Sequence, residues 1–202
     1  MKLLAFVDMH GSHKALEKIK TQSKQADLLV CAGDISIFEN NLDKLFFELN
    51  KLNKPVLIIP GNHESTESIN VLTKLFPNII NIDEKGYAIG NYLFFGYGGG
   101  GFSMVDHHFD KISKKFEKKI KKFRKINENI KTILVAHAPP YKTKIDHIMD
   151  EYCGNKSIKN FMLKVKPDLV ISGHLHENAG KEDKISNTKI INPGPFGKML
   201  TI

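Results

Sequence analysis

Five short apolar runs along this chain each stop at a histidine, an aspartate or an asparagine, and that repetition restricts the fold more than any other feature. Leu3 to Val7 ends in Asp8, with His10 just beyond; Leu28 to Ala32 ends in Gly33-Asp34; Val56 to Ile59 runs through Pro60-Gly61 into Asn62-His63-Glu64. Ile133 to Ala136 ends in His137, and Leu169 to Ser172 ends in Gly173-His174-Leu175-His176. Runs this short and apolar read as strands buried on both faces. In a mainly parallel sheet they finish at one edge, and ligands gather outside the carboxyl ends of such strands. The potential metal ligands Asp8, His10, Asp34, Asn62, His137, His174 and His176 then converge. One ion rarely takes so many mixed donors. Two ions bridged by one carboxylate, about 3.5–4 Å apart, can take them.

Helices fill the intervals. Ser12 is placed to cap one that turns Leu16 and Ile19 inward; Asn40 or Asn41 opens a second carrying Leu42, Leu45, Phe46, Leu49 and Leu52; Ser65 opens a third carrying Ile69, Leu72, Leu75 and Phe76. Residues 79 to 95, with Asp83-Glu84-Lys85-Gly86 and Gly90-Asn91 as turns, predict a meander of hairpins. Ile112, Phe116, Ile120, Phe123 and Ile130 form one helical stripe, with lysines mostly around the rest of the helix. Asn155 to Lys166 predicts a helix with Ile158, Phe161, Met162 and Val165 inward, stopped by Pro167; Thr188 to Ile191 and Lys198 to Ile202 predict closing strands. The pattern is α/β with a β-rich insert.

With 202 residues and neither a repeat nor a linker, a single domain over residues 1–202 is expected. The apolar start runs straight into Asp8 and is too short to span a bilayer, so neither a signal peptide nor membrane association is expected. Cys31 and Cys153 make no disulfide framework and no thiolate metal site, which favours a reducing, cytoplasmic setting. The formal charge of +8 raises the question of nucleic acid. Arg124 is the one arginine, however, and arginine is the side chain that grips phosphate with two parallel bonds. Lysine-rich solvated helix faces account better for the charge.

Taken in order, Asp8-Met9-His10, Gly33-Asp34, Gly61-Asn62-His63-Glu64, His137 and Gly173-His174-Leu175-His176 resemble the five blocks of the calcineurin-like metallophosphoesterases. The resemblance implies two stacked mixed β-sheets flanked by helices, a four-layer sandwich. It assigns Asp8, His10, Asp34 and His176 to one ion and Asp34, Asn62, His137 and His174 to the other, with Asp34 as bridge. Four imidazoles beside oxygen donors favour two divalent transition-metal ions, manganese, iron, zinc or nickel, over magnesium or calcium. It further implies attack on phosphorus by a hydroxide held between the ions, with His63 as general acid. Glu64 either orients His63 or is an acid favoured by a helix start. His13, just beyond the first block, is a candidate substrate contact.

His137-Ala138-Pro139-Pro140-Tyr141, Lys144-Ile145-Asp146, Gly154 and Asn192-Pro193-Gly194-Pro195 resemble the small microbial members and the animal cyclic-nucleotide-hydrolysing branch. Gly154 and Asn155 are carried over as substrate contacts, although Asn155 departs from the small residue expected there. Gly96 to Gly101 lacks a phosphate-loop ending and reads as a close-approach loop at the rim. The expected activity is hydrolysis of a small phosphate ester, a phosphodiester or nucleotide ahead of a monoester. A nuclease and a catalytically weak binding scaffold of the same fold are the alternatives.

Overall fold

The computed structural model describes residues 1–101 and 103–202. In chain order its elements are β1 (Lys2–Phe6), α1 (His13–Ser23), β2 (Leu28–Cys31), α2 (Leu42–Asn50), β3 (Val56–Ile58), α3 (Thr66–Leu75) and β4 (Ile79–Asn81). Next come β5 (Gly86–Ile89), β6 (Tyr92–Tyr97), α4 (His107–Ile126), β7 (Lys131–Ala136) and a small hairpin of β8 (His147–Ile148) and β9 (Glu151–Tyr152). The chain closes with α5 (Lys156–Val165), β10 (Leu169–Ile171), a 3-10 turn at His176–Asn178, β11 (Glu182–Ile185), β12 (Thr188–Ile191) and β13 (Lys198–Thr201).

The five apolar runs divide between two sheets. One has the order β13-β1-β2-β3-β4, the other β11-β12-β10-β7-β6-β5. Pairing is parallel through the middle of both, and only β13, β11 and β5 run antiparallel to their neighbours. Alternation along each strand explains the stacking. Leu3, Ala5 and Val7 face a core between the sheets, shared with Val30, Leu57, Phe94, Ile133, Val135 and Ile171. Leu4 and Phe6 point the other way, onto Leu16, Ile19, Phe46 and Ile69 of α1, α2 and α3. On the far side Leu134 and Val170 meet Phe116, Ile120, Ile158 and Phe161 of α4 and α5. The result is helices, sheet, sheet, helices, as the resemblance implied.

Ser12 and Ser65 cap as expected, and Asn155, expected as the first residue of its helix and as a substrate contact, proves to be a cap as well. Ser12, Ser65 and Asn155 each accept an amide bond at the start of α1, α3 and α5. Asn41 precedes α2 in a left-handed conformation, with no side-chain bond to the helix. Three expectations need correction. Residues 79 to 95 are not one meander: β4 pairs parallel with β3 at the edge of the first sheet, and only β5 and β6 form a hairpin. Leu75 is 67% exposed at the last residue of α3, while Leu72 and Phe76 on either side of it pack partly buried against the core. Ile130 is buried but lies beyond α4, which ends at Ile126, so it packs from the loop that enters β7.

Candidate metal centre

The carboxyl ends of β1, β2 and β3 in one sheet, and of β7 and β10 in the other, meet at one place. Backbone bonds carry the ladder past the strands: Asp8 N–H donates to Gly33 O, His10 N–H to Asp34 O, and Gly173 N–H to His137 O. Glycine permits this closeness. A Cβ on Gly33 would stand 2.7 Å from the Gly61 Cα and from the His137 ring. The donors themselves are strained. Asp8, His10, Asp34 and His174 all have positive φ, from 47° to 68°, a region costing roughly 1–2 kcal/mol for each non-glycine residue. Such clustering is typical of sites whose geometry the fold imposes.

Two donor sets share Asp34. In the first, one donor atom from each of Asp8, His10, Asp34 and His176 lies within 4.8 Å of all the others. In the second, Asn62 Oδ1 lies 2.9 Å from His174 Nδ1 and 3.1 Å from His137 Nε2. Asp34 Oδ2 is 3.3 Å from His137 Nε2, 3.8 Å from His10 Nε2 and 3.9 Å from His63 Nε2. All seven expected ligands and His63 are therefore brought together.

The hydrogen bonds behind the rings show what the cluster fits. His137 Nδ1–H donates to Ala32 O at 2.9 Å and His10 Nδ1–H to Ser36 O at 3.2 Å. In the neutral rings this leaves the Nε2 lone pairs pointing inward, the arrangement usual for metal-binding histidines, whose other ring nitrogen is held by a carbonyl or carboxylate. The His137 lone pair then faces two acceptor oxygens, and His10 Nε2 faces His176 Nε2 at 3.0 Å. At His10 a His176 Nε2–H can supply the proton, but at His137 a lone pair facing two oxygens needs a shared cation, and imidazole with carboxylate and amide oxygen suits a divalent transition metal.

The titration directions agree. Burial and then the neighbouring His137 push His174 down to about 4, which keeps it neutral and ready to coordinate. Burial raises the Asp8 carboxyl against the pull of His137 and His176. Burial works against charge on both members of the buried Asp34–His137 pair, but their mutual attraction prevails, lowering Asp34 and raising His137. A proton there does the work that a metal would do. Burial pushes the Cys31 thiol well up, so it is no competing ligand.

Glu64 takes neither of its expected roles. It is buried, and its carboxylate accepts from the N–H groups of Asp34 (3.1 Å), Ser36 (2.8 Å) and Gly61 (3.0 Å) and from the Ser36 hydroxyl (2.7 Å). It ties the Asp34 loop to the Asn62 loop. The N–H that reaches His63 Nδ1, at 3.4 Å, comes from Phe38 instead. Asn192 acts similarly from the far end of the chain, donating to Leu175 O between the two last-block histidines.

The expected substrate contacts make bonds and contacts of their own outside the donor set. His13 opens α1, almost fully exposed, with its ring 4.0 Å from Glu17. Asn155 spends its side chain on capping Ile158 N and on Ser103 O. Gly154 leaves room for Asp146, whose carboxylate a Cβ would meet at 2.6 Å and which accepts from Lys142, Thr143 and Gly154. The glycine-rich loop does approach the site closely, Gly99 N–H donating to Pro60 O.

A family model for calcineurin-like phosphoesterases matches residues 1–178. The chain belongs to this family. An uncharacterised protein of Methanocaldococcus jannaschii is 33% identical over 204 residues, covering 96% of this chain and 88% of the relative. Among solved structures, TT1561 of Thermus thermophilus aligns with a TM-score of 0.70 at 18% identity, covering 96% of this chain and 88% of that one. A dimetal phosphatase from Danio rerio aligns with a TM-score of 0.65 at 12% identity, covering 94% and 86% respectively. At such identities these two show the fold alone. Family and donor set together support a metal-binding phosphate-ester hydrolase. No helix among the described residues is long and apolar enough to cross a membrane.

Proposed function

We propose that this chain is a binuclear metallophosphoesterase hydrolysing a small phosphodiester or nucleotide, with His63 as general acid, in a reducing cytoplasmic setting. The observation that carries the reading is Asp34, whose carboxylate stands between the two donor sets and beside the His63 ring. Asp8, His10, Asp34 and His176 would hold one ion, and Asp34, Asn62, His137 and His174 the other. Two divalent cations bound there would supply an acidified water and offset charge on the phosphoryl oxygens.

The chain's own contribution is orientation and a proton. Since the Phe38 N–H points at His63 Nδ1, the neutral ring carries its proton on Nε2, the atom nearest Asp34. As general acid the ring would act as imidazolium, giving its Nε2 proton to the leaving oxygen beside the donor cluster and keeping the Nδ1 proton, with the 3.4 Å contact to the Phe38 N–H given up in that form. Glu64 keeps the Asp34 and Asn62 loops in register. No substrate role is assigned to His13, Gly154 or Asn155.

The nuclease alternative draws on the charge of the solvent-facing lysines of α4, but the one arginine, Arg124, is bonded within the fold to Val165 O and Thr132 Oγ1. A panel of phosphomonoesters, linear phosphodiesters, cyclic nucleotides and single-stranded DNA, assayed with manganese, tests the reading. Turnover concentrated on a small ester supports it; turnover of DNA alone favours the nuclease, and no turnover favours the scaffold.

A further inference from the structure

The loop after Asp34 carries a side chain that the chemistry so far does not use. Phe38 is 77% exposed, and Ile37 beside it is 49% exposed. Phe38 also sits at φ 48°, followed by Glu39 at φ 64°. A bulky apolar residue held left-handed carries a backbone cost, and an exposed one offsets none of it by burial. Nevertheless the loop is held firmly. Glu39 accepts from Ser65 N–H (2.7 Å), Ser65 Oγ (2.8 Å) and Ser68 Oγ (2.8 Å) at the start of α3, while Glu64 fixes Ser36 on the other side. These bonds set the Phe38 ring 4.4 Å from the His63 ring, centroid to centroid, tilted by 50°. The remainder of the ring is open to solvent.

We propose that Phe38 is the specificity residue for the leaving group, a platform on which a planar aromatic group, such as a nucleobase or an aryl ring, stacks. The proposal rests on His63 being the general acid, because the group whose oxygen His63 protonates must leave past the surface beside His63. Phe38 presents that surface. An aromatic ring gains from another planar ring packed offset-stacked or edge to face at 4.5–7 Å, and base–aromatic stacking adds affinity that a group without a π-face does not supply. A role as a mere prop for His63 is met differently: the contact that fixes the His63 tautomer is the backbone N–H of residue 38, which any side chain there keeps.

The chain contains no tryptophan, so Phe38→Trp introduces a single tryptophan at the platform, excited at a wavelength that the chain's five tyrosines do not absorb. Manganese-loaded Phe38→Trp is titrated with AMP while its emission is followed, and ribose 5-phosphate is measured as a competitor. Stacking predicts quenching by AMP, with AMP bound about tenfold more tightly than ribose 5-phosphate, a ratio within the span measured for base–aromatic contacts. Equal affinities overturn the proposal. In parallel, benzyl methyl phosphate and cyclohexylmethyl methyl phosphate are compared in wild type, Phe38→Leu and Phe38→Trp. The wild-type preference in kcat/KM for the benzyl ester is expected to fall about tenfold in Phe38→Leu, through KM, and to persist in Phe38→Trp. A fall in kcat for both esters alike would make Phe38 a prop and overturn the platform. If wild type hydrolyses neither ester, it is the proposed function that fails, and the emission titration still decides the platform.

Discussion

Replacing Glu64 by glutamine tests whether the carboxylate acts on the loops or on His63. Four donors converge on it, from Asp34, Ser36 (twice) and Gly61, all in a buried setting. Hydrogen bonds to a charged group are each worth about 1.5–3 kcal/mol net, and a buried donor left unpaired costs about 1–3 kcal/mol. An amide keeps one accepting oxygen and turns its NH2 toward donors. With two bonds retained and the Ser36 hydroxyl free to rotate, Glu64→Gln should cost about 2–4 kcal/mol. For a chain of this size that lowers Tm by about 5–15 °C. Because Asp34 and the Asn62 loop would lose their common register, metal affinity should also fall, by about 10- to 100-fold. Thermal unfolding of the metal-free protein, followed by a metal titration, measures both. A Tm equal to wild type, with loss confined to turnover of esters with poor leaving groups, would refute this reasoning and return Glu64 to the role of orienting His63.

His63→Ala should lower turnover of alkyl or nucleoside esters by about 10²–10⁴-fold and that of a nitrophenyl ester much less, since nitrophenolate leaves without a proton; steady-state kinetics with both classes check it, and metal content should not change. In the metal-free protein the Asp34–His137 pair makes stability depend on pH. His137 is raised above its usual 6.5, so its contribution is present below that value and is lost as pH rises through the folded-state value. Asp34 is lowered from 3.8, so its contribution is present above that value and is lost as pH falls through the folded-state value. Tm of the metal-free protein should therefore fall between neutral and alkaline pH, and should do so less in His137→Asn. A rise over that range would contradict the assignment.

The donors were legible because each closes an apolar run, a signal local in sequence. Helix starts were legible for the same reason, Ser12, Ser65 and Asn155 each preceding a periodic stripe. Asn155 also illustrates a competing signal: an asparagine before a helix is a cap first, and the structure uses it so. What stayed hidden depends on partners distant in the chain. The donors to Glu64 include Asp34 and Ser36, thirty and twenty-eight residues away, and no local pattern marks a backbone N–H as needing a carboxylate. Short β4 carries nothing to say that it follows β3 rather than β5. Phe38 left a trace, a large apolar residue among loop residues that outlast any strand or helix period, but only its contact with His63 gives the trace a meaning.

The most direct test of the account counts metal in active protein. Wild-type chain reconstituted with manganese should hold two ions, lose activity reversibly to a chelator, and regain it in proportion to the second ion bound. Asp34→Asn should weaken both sites and His176→Ala mainly one. Full activity with a single ion, or with none, would contradict the binuclear centre.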